Sequence, residues 1–333
     1  MGYFENEDAA PLFALIASAA VKHLVNFLWR NRRPPGSLRV GTLKSIAIYP
    51  VKSMSGISLP EVECSYSGPR NGCLQDRTWI VTYGAGNRFV TGRQEPKLTS
   101  VRCSRSGDFI LLDSDGVETL KMPIEIENIE SYQVKAVRVH GIPLSGVDCG
   151  DDAANWIDRV LNKRGHRILH HIPALPRRLT SIGATAFKRS FYHAARPEDE
   201  VAYQDSAPFS LGTDASLGNL CKRVGREIPE EQFRHTFEIS ALVPAFEEDS
   251  WKDIIIGSVR FVNFAPIEKC LMSVVDPRIG AKTEDDEPLA TLKQYRNVYP
   301  DMFGHNAAFG RLLLLEKPGI VRVGDPVFAC KAQ

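Results

Sequence analysis

Four short stretches set polar or charged side chains at the ends of otherwise apolar runs. They are Tyr49-Pro50-Val51-Lys52-Ser53, Asp76-Arg77-Thr78-Trp79, Gln204-Asp205-Ser206-Ala207-Pro208-Phe209 and Glu268-Lys269-Cys270-Leu271. A Lys-Ser pair and an Arg at strand ends are donors suited to an anionic group. Taken singly, each stretch is weak. A Lys or Arg at a strand end reads first as a solvated cation, and Cys270 before an apolar run reads first as a small buried hydrophobe. Familiar catalytic templates are missing: the chain has no Walker A loop, no GxGxxG opening a βα unit, no HExxH and no GxSxG. Its eight histidines are scattered. The His170-His171 pair would point to opposite faces of a strand, a structural or solvated pattern rather than a metal-binding one. The seven cysteines are widely spaced, odd in number and without a CxxC pair. That argues against structural zinc, thioredoxin-like chemistry and a disulfide framework, and for reduced thiols.

The elements that must position these residues are mostly strands. Residues 40–51 alternate and are rich in β-branched side chains; 78–82, 88–91, 109–113 and 133–139 follow the same period. Asp115-Gly116 is a hairpin signal. Residues 151–161 read as a helix with acidic residues at its start and Ala153, Trp156, Ile157 and Val160 on one face. Residues 164–191 are basic and broken by Pro173 and Pro176, which suggests an irregular connection between two domains. A short helix is expected over 214–223, with Thr213 as its cap. Later strands are expected at 237–241, 254–262, 271–275, 311–316 and 320–323, the last two joined at Pro318-Gly319. The class is mainly β (α+β) and barrel-like.

Of the 333 residues, 43% are hydrophobic and 24% charged, enough to bury a core without staples. Lys plus Arg number 41 against 40 Asp plus Glu. A near-neutral chain lacks the basic excess of a nucleic-acid binder, so any charged site must be local. Residues 9–29, AAPLFALIASAAVKHLVNFLW, would span about 31 Å as a helix, close to the bilayer core. Lys22 and His23 interrupt the run. A surface-lying amphipathic helix also fits, whereas a cleaved secretory signal fits badly because the preceding residues are acidic. An uncleaved single-pass anchor is the favoured expectation. Arg30, Arg32 and Arg33 would put the carboxy-terminal bulk on the cytosolic side.

In order and spacing, the four stretches resemble the MOSC family of molybdenum-cofactor proteins, and within it the eukaryotic mitochondrial amidoxime-reducing components. The resemblance runs over most of the chain. Besides YPVKS, DRTW and DSAPF it includes TGRQEP (91–96), RVHG (138–141), DCG (148–150), EDSW (248–251), KCLMSVVDPRIG (269–280) and GDPV (324–327). It implies an N-terminal tail and transmembrane anchor at 1–29, a linker at 30–38, an N-terminal MOSC β-rich domain at 39–165, a connection at 166–196 and a C-terminal MOSC β-barrel at 197–331. Molybdopterin would lie between the two MOSC parts.

Carried over by position, Cys270 would supply a thiolate to molybdenum. Lys52, Ser53 and Arg77 would hold the pterin and its phosphate, and Arg234 would contact the cofactor. Asp205 and Ser206 would lie near the metal, Asp205 with a catalytic part. The implied reaction is the two-electron reduction of N-hydroxylated compounds. Electrons would come from cytochrome b5 and NADH-cytochrome b5 reductase at the mitochondrial outer membrane, with the catalytic part facing the cytosol. The alternative is a non-catalytic cofactor carrier or a sulfur-transfer accessory module. Three departures bear on substrate preference and turnover. Arg234-His235-Thr236 stands where the family commonly has Arg-Pro-Asn, Lys269 where Arg is common, and Ala207 where a hydroxyl is usual.

Overall fold

A computed structural model describes residues 34–180 and 195–331. The expected anchor at 1–29 lies outside them, and among the described residues no helix is long and apolar enough to cross a membrane. From Leu38 onward the residues form one contact unit. The strands that build its two barrels are β1 (Leu38–Ile48), β2 (Trp79–Tyr83), β3 (Arg88–Phe89), β4 (Val134–Val139), β5 (Ile142–Asp148), β6 (His166–His170), β7 (Phe209–Thr213), β8 (Phe237–Ala241), β9 (Trp251–Ile256), β10 (Val259–Lys269), β11 (Ala307–Lys317) and β12 (Pro326–Lys331). Helices α1 (Asp151–Leu161), α2 (Asp214–Val224) and α3 (Leu289–Tyr295) pack outside them.

The first barrel is closed in the order β4-β5-β6-β2-β3, with β3 pairing back to β4. The second runs β8-β7-β11-β10-β9-β12-β1 and closes through β1 on β8. Its first stave therefore comes from the amino-terminal end of the fold. β1 bonds to β8 on one side and β12 on the other, with register shifts near Gly41 and Ser45 that let one strand bend across the closure. A Cβ at Gly41 would lie 2.4 Å from the Ser240 carbonyl oxygen, so this crossing admits only glycine.

β10 and β11 are eleven-residue, largely buried runs that pair along most of their length. Their apolar residues fill the second core with Phe209, Phe237, Phe261, Leu313 and Leu315. Each such side chain contributes roughly 1.5–3 kcal/mol on burial. Trp79, Val81, Ile168 and the inner face of α1 fill another core. The Trp156 indole donates to the Glu118 carbonyl at 2.5 Å and pins α1 in place.

The mainly β expectation and the helix over 151–161 hold. Thr213 caps α2, its hydroxyl accepting from the Ser216 N–H at 3.2 Å. Four local expectations change. The basic stretch read as irregular contains β6, whose partner β2 is remote in sequence. The single strand expected at 254–262 is two strands folded at Gly257, where φ is +59°. Of the strand expected at 271–275, only Val275 is strand, in a two-residue pairing with Lys282. Leu271–Val274 is a 3-10 turn, because the Cys270 carbonyl accepts both the N–H and the hydroxyl of Ser273 at 2.8 and 2.7 Å. Finally, Gly319–Arg322 pairs with Glu61–Ser65 rather than folding back on β11.

Candidate functional site

Three turns meet between the barrels. Tyr49–Met54 follows β1, Asp76–Thr78 precedes β2, and Tyr203–Ala207 precedes β7. Main-chain bonds knit them: Arg77 N–H to Tyr49 O at 2.7 Å, Lys52 N–H to Trp79 O at 2.8 Å, and Tyr203 N–H to Arg77 O at 3.2 Å. The Gln204 amide, fully buried, donates to Asp76 O at 2.8 Å and accepts from Ala202 N–H at 2.7 Å. Among the described residues eight non-glycines have positive φ, and four of them stand here: Ser53 (+74°), Arg77 (+49°), His140 (+51°) and Arg234 (+58°). Such conformations persist only where surrounding structure enforces them, and they concentrate at functional sites.

The structure brings most of the predicted residues together. Lys52 is buried, its ammonium 2.5 Å from Asp205 Oδ1 and 2.8 Å from the Tyr203 carbonyl. Arg77 lies 2.5 Å from Asp76 Oδ2, and Asp76 Oδ1 accepts the Tyr49 N–H at 2.8 Å. Arg77 and Arg234 both stack over the Tyr49 ring, at 4.9 and 4.3 Å from its centroid. Arg234 Nη1 donates to Met54 O at 2.5 Å. The hydroxyls of Ser53 and Ser206 make no hydrogen bond among the described residues, which leaves both for a ligand. Cys270 ends β10, half-buried and extended at the head of the Leu271–Val274 turn. No contact among the described residues joins its sulfur to Lys52, Arg77 or Asp205. Its link to them runs through Lys269, whose ammonium is 3.5 Å from His235 Nε2, next to Arg234.

Three residues of the site lie outside the set predicted from sequence. Arg178 is 6% exposed and donates through Nη2 to the carbonyls of Gln204 and Asp205, the latter at 2.9 Å. It sits in the basic connection, where only tertiary contact distinguishes it from its neighbours. His140 Nε2 is 2.6 Å from Asp205 Oδ1. Its signals in the sequence were the RVHG stretch (138–141) and the His-Gly pair within it. Asp76 is the buried counter-ion of Arg77.

The electrostatics follow from burial. Desolvation pushes the Lys52 ammonium below its ordinary value, partly offset by Asp205. Burial also lowers Arg178 and takes Arg234 down to about 10, the latter with repulsion from Arg77. Burial opposes the charge on Arg77 as well, but Asp76 more than restores it. Desolvation opposes the Asp205 charge only in part, since its side chain is 68% exposed, and Lys52 and His140 hold it well below the usual carboxylate range. Burial brings Lys269 down to about 7. It also favours a neutral His235–Glu238 pair, joined at 2.7 Å.

Four cations (Lys52, Arg77, Arg178 and Arg234) thus face two carboxylates, Asp76 and Asp205. Arg178 Nε and Arg234 Nη2 are buried without a hydrogen-bond partner among the described residues. Excess buried positive charge with unused donors is costly unless an anion of about two negative charges completes it. A half-buried thiol follows the end of β10 and is linked to this cluster through Lys269 and His235. This donor set fits a phosphate-bearing organic cofactor that also carries a soft metal.

Comparison with known proteins defines the class. Residues 40–164 match the MOSC N-terminal beta barrel domain and residues 198–328 the MOSC domain, so the chain belongs to the MOSC family. It is similar to mitochondrial amidoxime-reducing component 1 of Homo sapiens, 36% identical over 304 residues, covering 90% of this chain and 86% of that protein. Mitochondrial amidoxime reducing component 2 of Rattus norvegicus is 33% identical over 323 residues, covering 95% and 91%.

Proposed function

We propose that this chain is a molybdenum-cofactor-dependent reductase of N-hydroxylated compounds such as amidoximes and N-hydroxylamines. The observation that carries this reading is the buried cationic cleft with unused donors, linked to the half-buried Cys270 through the Lys269–His235 contact. The relatives are named for amidoxime reduction, which supports amidoximes as one substrate. Lys52, Ser53, Arg77 and Arg234 would hold the pterin phosphate, with Cys270 as the protein's thiolate ligand to the metal and Ser206 beside it. When bound, the molybdenum cofactor supplies two-electron reduction of the N–O bond, R–NHOH + 2e⁻ + 2H⁺ → R–NH₂ + H₂O.

The chain's own residues do the orienting. Asp205 is held ionised, so it acts as a hydrogen-bond acceptor for an N–H or O–H group of the substrate rather than as an acid. Arg77 and Arg234, stacked over the buried Tyr49 ring, would be held in place toward the cofactor's anionic group. Electrons would be delivered by cytochrome b5 and its NADH-dependent reductase. Residues 1–29 would anchor the protein in the mitochondrial outer membrane, facing the cytosol, so that the partners meet at raised effective concentration.

Purification from a host that makes the cofactor should yield about one molybdenum per chain. Benzamidoxime reduction with cytochrome b5 should be abolished in Cys270→Ala. A metal-free wild-type protein would rule the reading out; a metal-loaded protein without turnover would leave only the carrier role.

A further inference from the structure

Asp205 is gripped from three segments. Lys52, from the turn after β1, and His140, from the β4–β5 hairpin, both reach Oδ1, at 2.5 and 2.6 Å. Arg178, from the connection, fixes the main chain through the Gln204 and Asp205 carbonyls. The Asp205 side chain nonetheless remains 68% exposed, and no hydrogen bond or ion pair among the described residues reaches Oδ2. With the main chain immobilised, rotation about the side-chain torsions is the freedom left, and His140, approaching Oδ1 from a different segment than Lys52, restricts it further.

The cost of placing His140 supports a role for it. It occupies a left-handed conformation at the hairpin tip, φ +51°, followed by Gly141 at +83°. Asn or Gly is the residue this turn favours. A histidine tolerates this conformation less readily than glycine or asparagine, and it makes a contact that an asparagine would be too short to make. Its ring is further set by an edge contact with Phe89, centroids 5.5 Å apart.

We propose that His140 is a positioning residue: it turns Asp205 so that Oδ2 is presented to an N–H or O–H donor of the substrate. This rests on the reductase reading above. One such hydrogen bond to a charged acceptor corresponds to roughly a tenfold to hundredfold effect on binding, and a misdirected Oδ2 forfeits part of it.

Two substitutions separate reach from turn geometry. His140→Asn suits the left-handed turn but cannot span to Oδ1; His140→Gln is less suited to the turn but carries an amide nitrogen at the distance of Nε2. In the molybdenum-loaded protein, H140N should raise KM for benzamidoxime about fivefold with kcat within about twofold. It should weaken calorimetric binding of benzamidine, the N–H-bearing product, by a similar factor. H140Q should restore both. Molybdenum content and melting temperature should match wild type in both variants. Unchanged KM and benzamidine affinity in H140N, equal impairment in H140Q, or molybdenum loss that tracks the loss of turnover would each overturn the proposal while leaving the reductase reading intact. A wild-type protein without molybdenum or turnover removes the reading and this proposal together.

Discussion

Replacing Asp76 by Asn tests whether the cleft's charge balance is as described. Asp76 is 1% exposed; Oδ1 accepts the Tyr49 N–H at 2.8 Å and Oδ2 holds Arg77 at 2.5 Å. Asparagine keeps an oxygen for Tyr49 but turns an NH₂ toward the guanidinium. Arg77, whose side chain is 16% exposed, is then left with the Arg234 carbonyl at 3.4 Å and the Tyr49 ring. Orphaning one partner of a buried pair costs about 3–5 kcal/mol. The partial water access of Arg77 and the retained Tyr49 bond place this case near 3 kcal/mol, more than a hundredfold in the folding equilibrium. The assay is urea unfolding of the protein purified from a host unable to make the cofactor. The double variant Asp76→Asn/Arg77→Met removes both charges and should recover most of the loss, since exchanging a buried ion pair for apolar packing is often neutral. A single variant within about 1 kcal/mol of wild type, or a double variant no better than the single, would refute the reasoning.

Lys52→Met should divide binding from folding. It leaves Asp205, which is largely exposed, without an ammonium, so the melting temperature should move by no more than a few degrees while molybdenum content falls severalfold. Equal molybdenum in this variant would remove Lys52 from the phosphate set. His170 is buried against Trp79, ring centroids 3.9 Å apart, and burial pushes its value down from 6.5 to about 3. The unfolded chain therefore binds a proton that the folded one refuses between those values, and stability falls as pH drops through this window. From pH 7 to pH 5 this single group should cost roughly 2 kcal/mol. His170→Phe keeps the stack and should lose that part of the acid sensitivity; an unaltered pH dependence of the urea midpoint would contradict it.

Much of this was legible in the chain itself. The helix over Asp151–Leu161 with its apolar face and the Thr213 cap are set by neighbours within a few residues, and each appears in the structure where the sequence puts it. The short stretches that carry chemistry are also local, so Lys52, Arg77, Asp205 and Cys270 could be picked out by residue type. What local pattern could not supply was partnership. β1 is a stave of the second barrel because it closes against β8 and β12, contacts made across almost the whole length of the chain. The Leu271–Val274 turn looks like a strand in its apolar run, and the Ser273 bonds to the Cys270 carbonyl override that pattern.

The same holds for charge. Composition makes the chain neutral; only folding sets Lys52, Arg77, Arg178 and Arg234 around a cleft with two carboxylates between them. Arg178 and His140 became site residues through contacts with Asp205, made from segments 27 and 65 positions away. Residue identity determined which chemistries were open to this protein. Burial and long-range closure decided which side chains meet, because desolvation and hydrogen-bond geometry are properties of the assembled barrels and not of any stretch of sequence.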